Sequence, residues 1–124
     1  MEAFKAIGVL LQDYFDALHF CDVARLERVF HPAAIYATAD EVPFLHRSMA
    51  EYFAVVAARE SPASRGEIRR DHVDAIELVG ENTAAARVRC SIGTRDFVDL
   101  LTLVRIQGEW RIIAKVFQIL ERDT

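Results

Sequence analysis

The last quarter of the chain, Arg95 to Leu120, constrains the fold more than any other segment. It consists of two long apolar runs separated by Gln107-Gly108-Glu109. Apolar runs flanking a Gly-containing break form a β-hairpin. From Phe97 to Ile106 nearly every residue is apolar, so both faces of that strand need cover. One face can take helices from the same chain. A chain of 124 residues has little left for the other face, which predicts a homodimer formed through the sheet.

The helices lie upstream. From Glu2 to His19, Phe4, Ile7, Leu11, Tyr14, Phe15 and Leu18 recur at three- and four-residue steps, with Lys5, Gln12, Asp13 and Asp16 opposite. That spacing is one amphipathic helix. Asp22 caps a second, short helix carrying Val23, Leu26, Val29 and Phe30, and Pro32 ends it by restricting His31. Ala34 to Thr38 is a short strand. Asp40, Glu41 and Pro43 form a turn, and Phe44 to His46 return as a second short strand. Ser48-Met49-Ala50-Glu51 is a capping box that opens a third helix, which fades at Glu60. A loop from Ser61 to Gly66 follows.

The remainder is strand. Ile68 to Val79 alternates, and unbroken alternation groups His72, Asp74, Ile76 and Leu78 on one face. In Thr83 to Ile92, Ala84, Ala86, Val88, Cys90 and Ile92 face one way and Arg87 and Arg89 the other. Helices early and a long meander late give an α+β layout, a single domain over residues 1–124.

Composition narrows the function classes. A chain of this length can bury roughly two-thirds of its unfolded surface, enough for a core without disulfides or metals. The hydrophobic fraction of 52% favours an oligomer, and a net charge of −4 gives no reason to expect nucleic acid. No apolar run reaches membrane-spanning length, and charged residues punctuate the N-terminus where a signal peptide would be apolar. Cys21 and Cys90 stand far apart in apolar contexts and read as free thiols of a cytoplasmic protein. There is no His-x-His, HExxH, paired CxxC, phosphate-binding Gly loop or Gly-x-Ser-x-Gly elbow, so neither a metal nor a cofactor is expected.

The element order, together with Phe30-His31-Pro32-Ala33-Ala34, Phe97-Val98-Asp99-Leu100-Leu101 and Gly108-Glu109-Trp110-Arg111-Ile112, resembles the nuclear transport factor 2-like superfamily (SnoaL-like). Within it, the chain looks most like the branch named putative lumazine-binding. The resemblance covers nearly the whole chain. It implies a cystatin-like conical barrel, with a curved antiparallel sheet packed on three N-terminal helices around a mostly apolar pocket. The motifs specify the fold more than the function.

In the ketosteroid isomerases of that superfamily, a helix-one tyrosine and a protonated aspartic acid form an oxyanion hole while a second aspartate moves the proton. The resemblance places Tyr14 at the tyrosine position, Thr38 at the base position and Thr102 at the neutral-acid position. Threonine does not titrate near neutral pH, so neither can replace a carboxyl. Asp40, two residues beyond Thr38, can reach the pocket mouth or serve as a turn former. His72 with Asp74 forms either an Asp-oriented acid/base pair or a structural pair at a strand start. Tyr36 and Tyr52 fall near the pocket entrance, where their hydroxyls can orient a ligand. Trp110 is rim packing or a stacking platform for a flat ring. Asp99, within an apolar strand, requires a partner. Arg87, Arg89 and Arg95 are within reach for a cross-strand or interface ion pair, and Arg105, Arg111 and Lys115 read as outward charges.

Three functions are compatible with these residues. The chain can be a small-molecule binder with a mostly apolar pocket lined by Tyr14, Tyr36, Thr38, Tyr52, His72 and Thr102. It can be a cofactor-independent cyclase or isomerase using His72 with Asp74, or Asp40, helped by Tyr14. It can also be a dimeric protein-interaction module.

Overall fold

The computed structural model describes residues 2–122. Helix α1 runs over Glu2–Phe20 and α2 over Val23–Val29. The Asp22 side chain accepts the Arg25 backbone N–H at 3.1 Å, as an N-cap aspartate should. Strand β1, Phe30–Thr38, follows without a loop, and β2 spans Leu45–Arg47. Helix α3, Met49–Ala58, opens on the complete Ser48/Glu51 capping box. After a 3-10 turn at Ala63–Arg65 come β3 (His72–Val79), β4 (Thr83–Ile92), β5 (Arg95–Ile106) and β6 (Glu109–Glu121).

The six strands form one curved sheet in the order β2-β1-β6-β5-β4-β3. Every neighbouring pair is antiparallel except β1 and β6, which run parallel. The sheet is therefore mixed, not purely antiparallel, and it stays open, with β2 and β3 as its edges. Local turn signals reveal hairpins. A parallel partner reached after the whole meander has no such signal. β1 is also longer than Ala34–Thr38. It begins at Phe30 and includes Pro32, within the stretch where its register against β6 is irregular. Pro has no N–H for a ladder, so an irregular stretch is where it is tolerated.

The three helices cover one face. Ile7, Leu11, Tyr14 and Leu18 of α1 are buried against the inward residues of the sheet, while Phe4 at the start of the stripe remains half exposed. Alternation in β4 is as expected, with Ala84, Ala86, Val88 and Cys90 buried and Arg87 and Arg89 outward. Small residues there let the helices approach closely. The larger Leu101, Leu103 and Ile112 of the next two strands fill the remaining space. Each such buried side chain contributes on the order of 1.5–3 kcal/mol.

Two β-bulges change which side chains face the helices. In β3, Val73 pairs with Val88 but Ala75 pairs with Arg87, leaving Asp74 as an extra residue. In β6, Ile112 pairs with Leu103 but Ala114 pairs with Thr102, leaving Ile113 extra. Each extra residue inverts the alternation beyond it. On β3 the bulge places His72 on the outer face, beside Arg89, while Ile76 and Leu78 turn inward opposite Ala86 and Ala84. On β6 it turns Lys115 inward, opposite buried Leu101. Among the described residues, no helix is long and apolar enough to cross a membrane.

Candidate functional site

The inner face carries two opposite charges where only apolar side chains would be expected. Asp99 of β5 is fully buried and Lys115 of β6 is 5% exposed. Asp99 pairs in register with Phe117 and Lys115 with Leu101, so the two charges are diagonal neighbours. Lys115 Nζ lies 4.0 Å from Asp99 Oδ2. The Tyr14 hydroxyl donates to the same oxygen at 2.5 Å, and Lys115 Nζ donates to Tyr52 Oη at 3.4 Å. Asp99 Oδ1 is buried without a hydrogen-bond partner among the described residues. The Lys115 ammonium lies 5.0–5.4 Å from the ring centroids of Tyr14, Tyr36, Tyr52 and Phe117. Aromatic faces at that distance stabilise a cation.

This environment fixes protonation states. Burial alone would pull the Lys115 ammonium down, but Asp99, then Tyr52 and Tyr36, outweigh it and hold its pKa above the ordinary lysine value. Burial, reinforced by the charge of Asp99, raises the Tyr14 phenol well above its ordinary value. Burial also raises Tyr52, against the opposing pull of Lys115, and burial followed by Asp99 raises the Cys90 thiol. At neutral pH the lysine is therefore a fixed cation and the phenols and thiol stay protonated. None of the four is poised as a base or nucleophile.

Above this floor lie two spaces. A small one of about 20 Å³ touches Lys115, Tyr52 and Cys90. An open cleft of about 360 Å³ lies further out, bounded by the β1–β2 turn, Arg47 and Arg95. Tyr36, Arg59, Phe97 and Phe117 line both. Tyr36 stacks on Tyr52 with ring centroids 4.3 Å apart and meets Phe117 at 4.9 Å, and Phe117 in turn contacts Phe97 at 5.9 Å. This aromatic row separates the floor from the cleft.

Of the residues singled out from the sequence, Tyr14, Tyr36 and Tyr52 come together around Lys115. Thr38 is buried, but its hydroxyl donates to the Phe117 carbonyl at 2.7 Å and accepts the Asp40 N–H at 3.1 Å. Asp40 in turn accepts the Ile119 N–H at 2.8 Å. The two residues tie the end of β1 to β6. Thr102 is exposed on the opposite face of β5 from Leu101 and Leu103. Trp110 borders a separate depression with Val9 and Leu10 of α1. His72 is 60% exposed at its side chain, and its partner Asp74 is held by Arg87 and Arg89 on the outer face. The Arg89 hydrogen bonds lower the Asp74 pKa. His72 and Asp74 do meet, at 3.3 Å, but away from the cleft.

From sequence, Asp99 reads as one half of a cross-strand or interface ion pair with Arg87, Arg89 or Arg95, and Lys115 as an outward charge. The pair is a cross-strand one, but its cation is Lys115, which the Ile113 bulge turns toward the inner face that carries Asp99. The available signal was one charge of each sign inside two adjacent apolar runs, Asp99 in VDLL and Lys115 in IIAKVF. Arg47 and Arg59 carried no signal, since short edge strands and helix ends commonly hold arginine.

Comparison with known proteins agrees with this architecture. A family model described as "Putative lumazine-binding" matches residues 2–118. A nuclear transport factor 2-like protein of unknown function from Silicibacter pomeroyi superposes with a TM-score of 0.81 at 24% identity, covering 96% of this chain and 97% of that one. Another from Shewanella baltica gives 0.84 at 20% identity, covering 96% and 94%. A cystatin-like fold protein from Burkholderia xenovorans gives 0.72 at 15% identity, covering 94% and 91%. No curated protein matches the chain.

The buried pair sets two expectations. Lys115→Met leaves Asp99 buried without its cation and should cost about 3–5 kcal/mol, whereas adding Asp99→Leu to it should restore much of that loss. Urea denaturation of the two single variants and the double variant measures the coupling, and strictly additive losses would show that the pair does not interact. Stability should also fall at alkaline pH. Tyr14, Tyr52, Cys90 and Lys115 all have raised folded pKa values. The unfolded chain thus releases these protons first, from roughly pH 8.5 to 10.4, so stability declines as pH rises through that range and on toward the higher folded values. Urea midpoints taken across this range should fall, and Tyr14→Phe should make the decline shallower.

Proposed function

Since the chain belongs to the family described as "Putative lumazine-binding", within the nuclear transport factor 2-like superfamily, we propose that it is a small-molecule-binding protein whose ligand occupies the cleft outside the Tyr36–Phe117 row. The observation that carries this reading is the cleft itself, about 360 Å³ with aromatic walls formed by Tyr36, Phe97 and Phe117. Sites for small organic molecules have this size and this mixture of apolar wall and few polar groups. A flat heterocycle would lie against these rings, not against Trp110.

The same geometry supports binding over catalysis. The groups nearest the cleft floor are held protonated, Tyr14 is engaged with Asp99, and Asp40 is engaged with a backbone amide. The His72–Asp74 pair lies on the outer face. Two unpaired thiols, Cys21 and Cys90, suit a reducing compartment such as the cytoplasm.

Thermal denaturation against a panel of small organic compounds, lumazine among them, tests the reading. A ligand at about 100 times its Kd adds about 2.7 kcal/mol, a rise of several degrees for a domain of this size. Phe117→Ala should reduce the rise. A panel in which no compound raises the melting temperature would count against a binding role.

The protein is further proposed to act as a homodimer through the outer face of the sheet. Leu100 and Val116 pair across β5 and β6 on that face and are 55% and 48% exposed, with Ile35 and Leu120 also exposed there. An apolar patch of this kind on a sheet without helix cover favours association. Leu100→Lys with Val116→Lys should convert a dimer to a monomer in sedimentation velocity while leaving the circular dichroism spectrum unchanged. A wild-type protein that sediments as a monomer would remove this proposal.

A further inference from the structure

The cleft carries a charge opposite to that of the chain. Arg47, Arg59 and Arg95 line it against a single carboxylate, Glu41, a local balance of +2 in a chain of net charge −4. The three arginines are not equivalent. Arg95 donates to Glu41 at 2.8 Å and to Glu121 at 2.7 Å, so its charge is already matched. Arg47 lies over the Tyr36 ring, its Cζ 5.9 Å from the centroid, and forms no ion pair among the described residues. Arg59, at the C-terminal end of α3, likewise has no carboxylate partner among the described residues, and it lines both the cleft and the smaller space beneath it. Its charge is felt at Tyr52 and Cys90. Of the arginines outside the cleft, Arg25, Arg65, Arg69, Arg87, Arg89, Arg111 and Arg122 meet carboxylates. Arg28 and Arg105 bond to the Ala24 carbonyl and the Asn82 side chain instead, and neither they nor Arg70 line the cleft.

Beneath these groups the Lys115 charge is matched by Asp99, leaving Arg47 and Arg59 as the cations available to a ligand in the cleft. Their guanidinium groups offer forked donors suited to carboxylate or phosphate oxygens. Phe97, Phe117 and Tyr36 provide an apolar wall beside them. The geometry points to an amphipathic organic anion as the ligand, with its carboxylate or phosphate end on Arg47 and Arg59 and its apolar body against Phe97 and Phe117. This inference deepens the small-molecule reading and rests on it.

Isothermal titration with naphthoate, its neutral analogue naphthamide, and naphthyl phosphate tests the inference. Naphthoate should bind about tenfold to a hundredfold more tightly than naphthamide, as hydrogen bonds to a charged group imply. High salt should reduce that advantage without abolishing it, because the partly enclosed site is screened less than open surface. Arg47→Gln combined with Arg59→Gln should erase the advantage of naphthoate over naphthamide, whereas Arg47→Lys with Arg59→Lys should keep part of it. Stronger binding of naphthyl phosphate than naphthoate would assign the anion as phosphate, and the reverse order as carboxylate. Equal affinities for naphthoate and naphthamide would overturn the anion inference and leave small-molecule binding standing. If neither naphthyl acid binds while a neutral compound of the thermal panel does, the inference falls alone. If nothing binds in either experiment, both fall.

Discussion

The Asp99–Lys115 pair holds the interior of this protein together. Removing two charges from water costs several kcal/mol each, and their attraction offsets this only when further contacts satisfy them. Here those contacts come from different elements. Tyr14 brings α1 to β5 through its bond to Asp99, and Tyr52 brings α3 to β6 through its bond from Lys115. Tyr36 of β1 and Phe117 of β6 supply the remaining aromatic faces around the ammonium. A single ion pair thereby fixes two helices and three strands relative to one another, and it fixes the aromatic row that forms the inner wall of the cleft. An all-apolar interior would be as stable or more so, but it would place no such directional limit on where α1 and α3 sit.

Much of this fold can be read from the residues. The Ser48/Glu51 capping box, the Asp22 cap, the α1 stripe and the alternation of β4 depend on neighbours a few positions away, and each formed as the spacing required. The parallel β1–β6 pairing depends on residues about eighty positions apart, and no local signal specifies it. The bulges are the more consequential gap. One extra residue at Asp74 and another at Ile113 invert the strand alternation. A strict period of two then assigns His72 to the interior and Lys115 to the surface, the reverse of their actual positions. The candidate site was legible only in part for this reason. Its tyrosines lie on α1, on β1 and on α3, where alternation and helical spacing hold. Lys115 lies beyond a bulge.

The position of Asp99 shows a second limit. Its face could be read correctly as the one shared with Phe97, Leu101 and Leu103, but not whether that face met helices or another molecule. Both environments are apolar, and a buried carboxylate needs a partner in either. Only the location of Tyr14 and Lys115 decides between them. The outer face is distinguished by what it lacks, since Leu100 and Val116 face outward with no helix above them.

Electrostatics separates the floor of the site from its mouth. The floor is nearly neutral as a unit, because the ammonium of Lys115 and the carboxylate of Asp99 lie within 4.0 Å in a setting where burial strengthens their interaction. A ligand above it therefore meets aromatic rings and little net charge from below. At the mouth, Arg47 and Arg59 have no carboxylate partner among the described residues, and there the polarity of a ligand can be read. Reversing this arrangement, with unpaired charge at the floor, would leave a buried ion uncompensated whenever the cleft was empty. Placing the unpaired cations where water can reach them avoids that cost. It also lets the interior stay folded without a ligand, while the outer arginines remain able to select an anionic one.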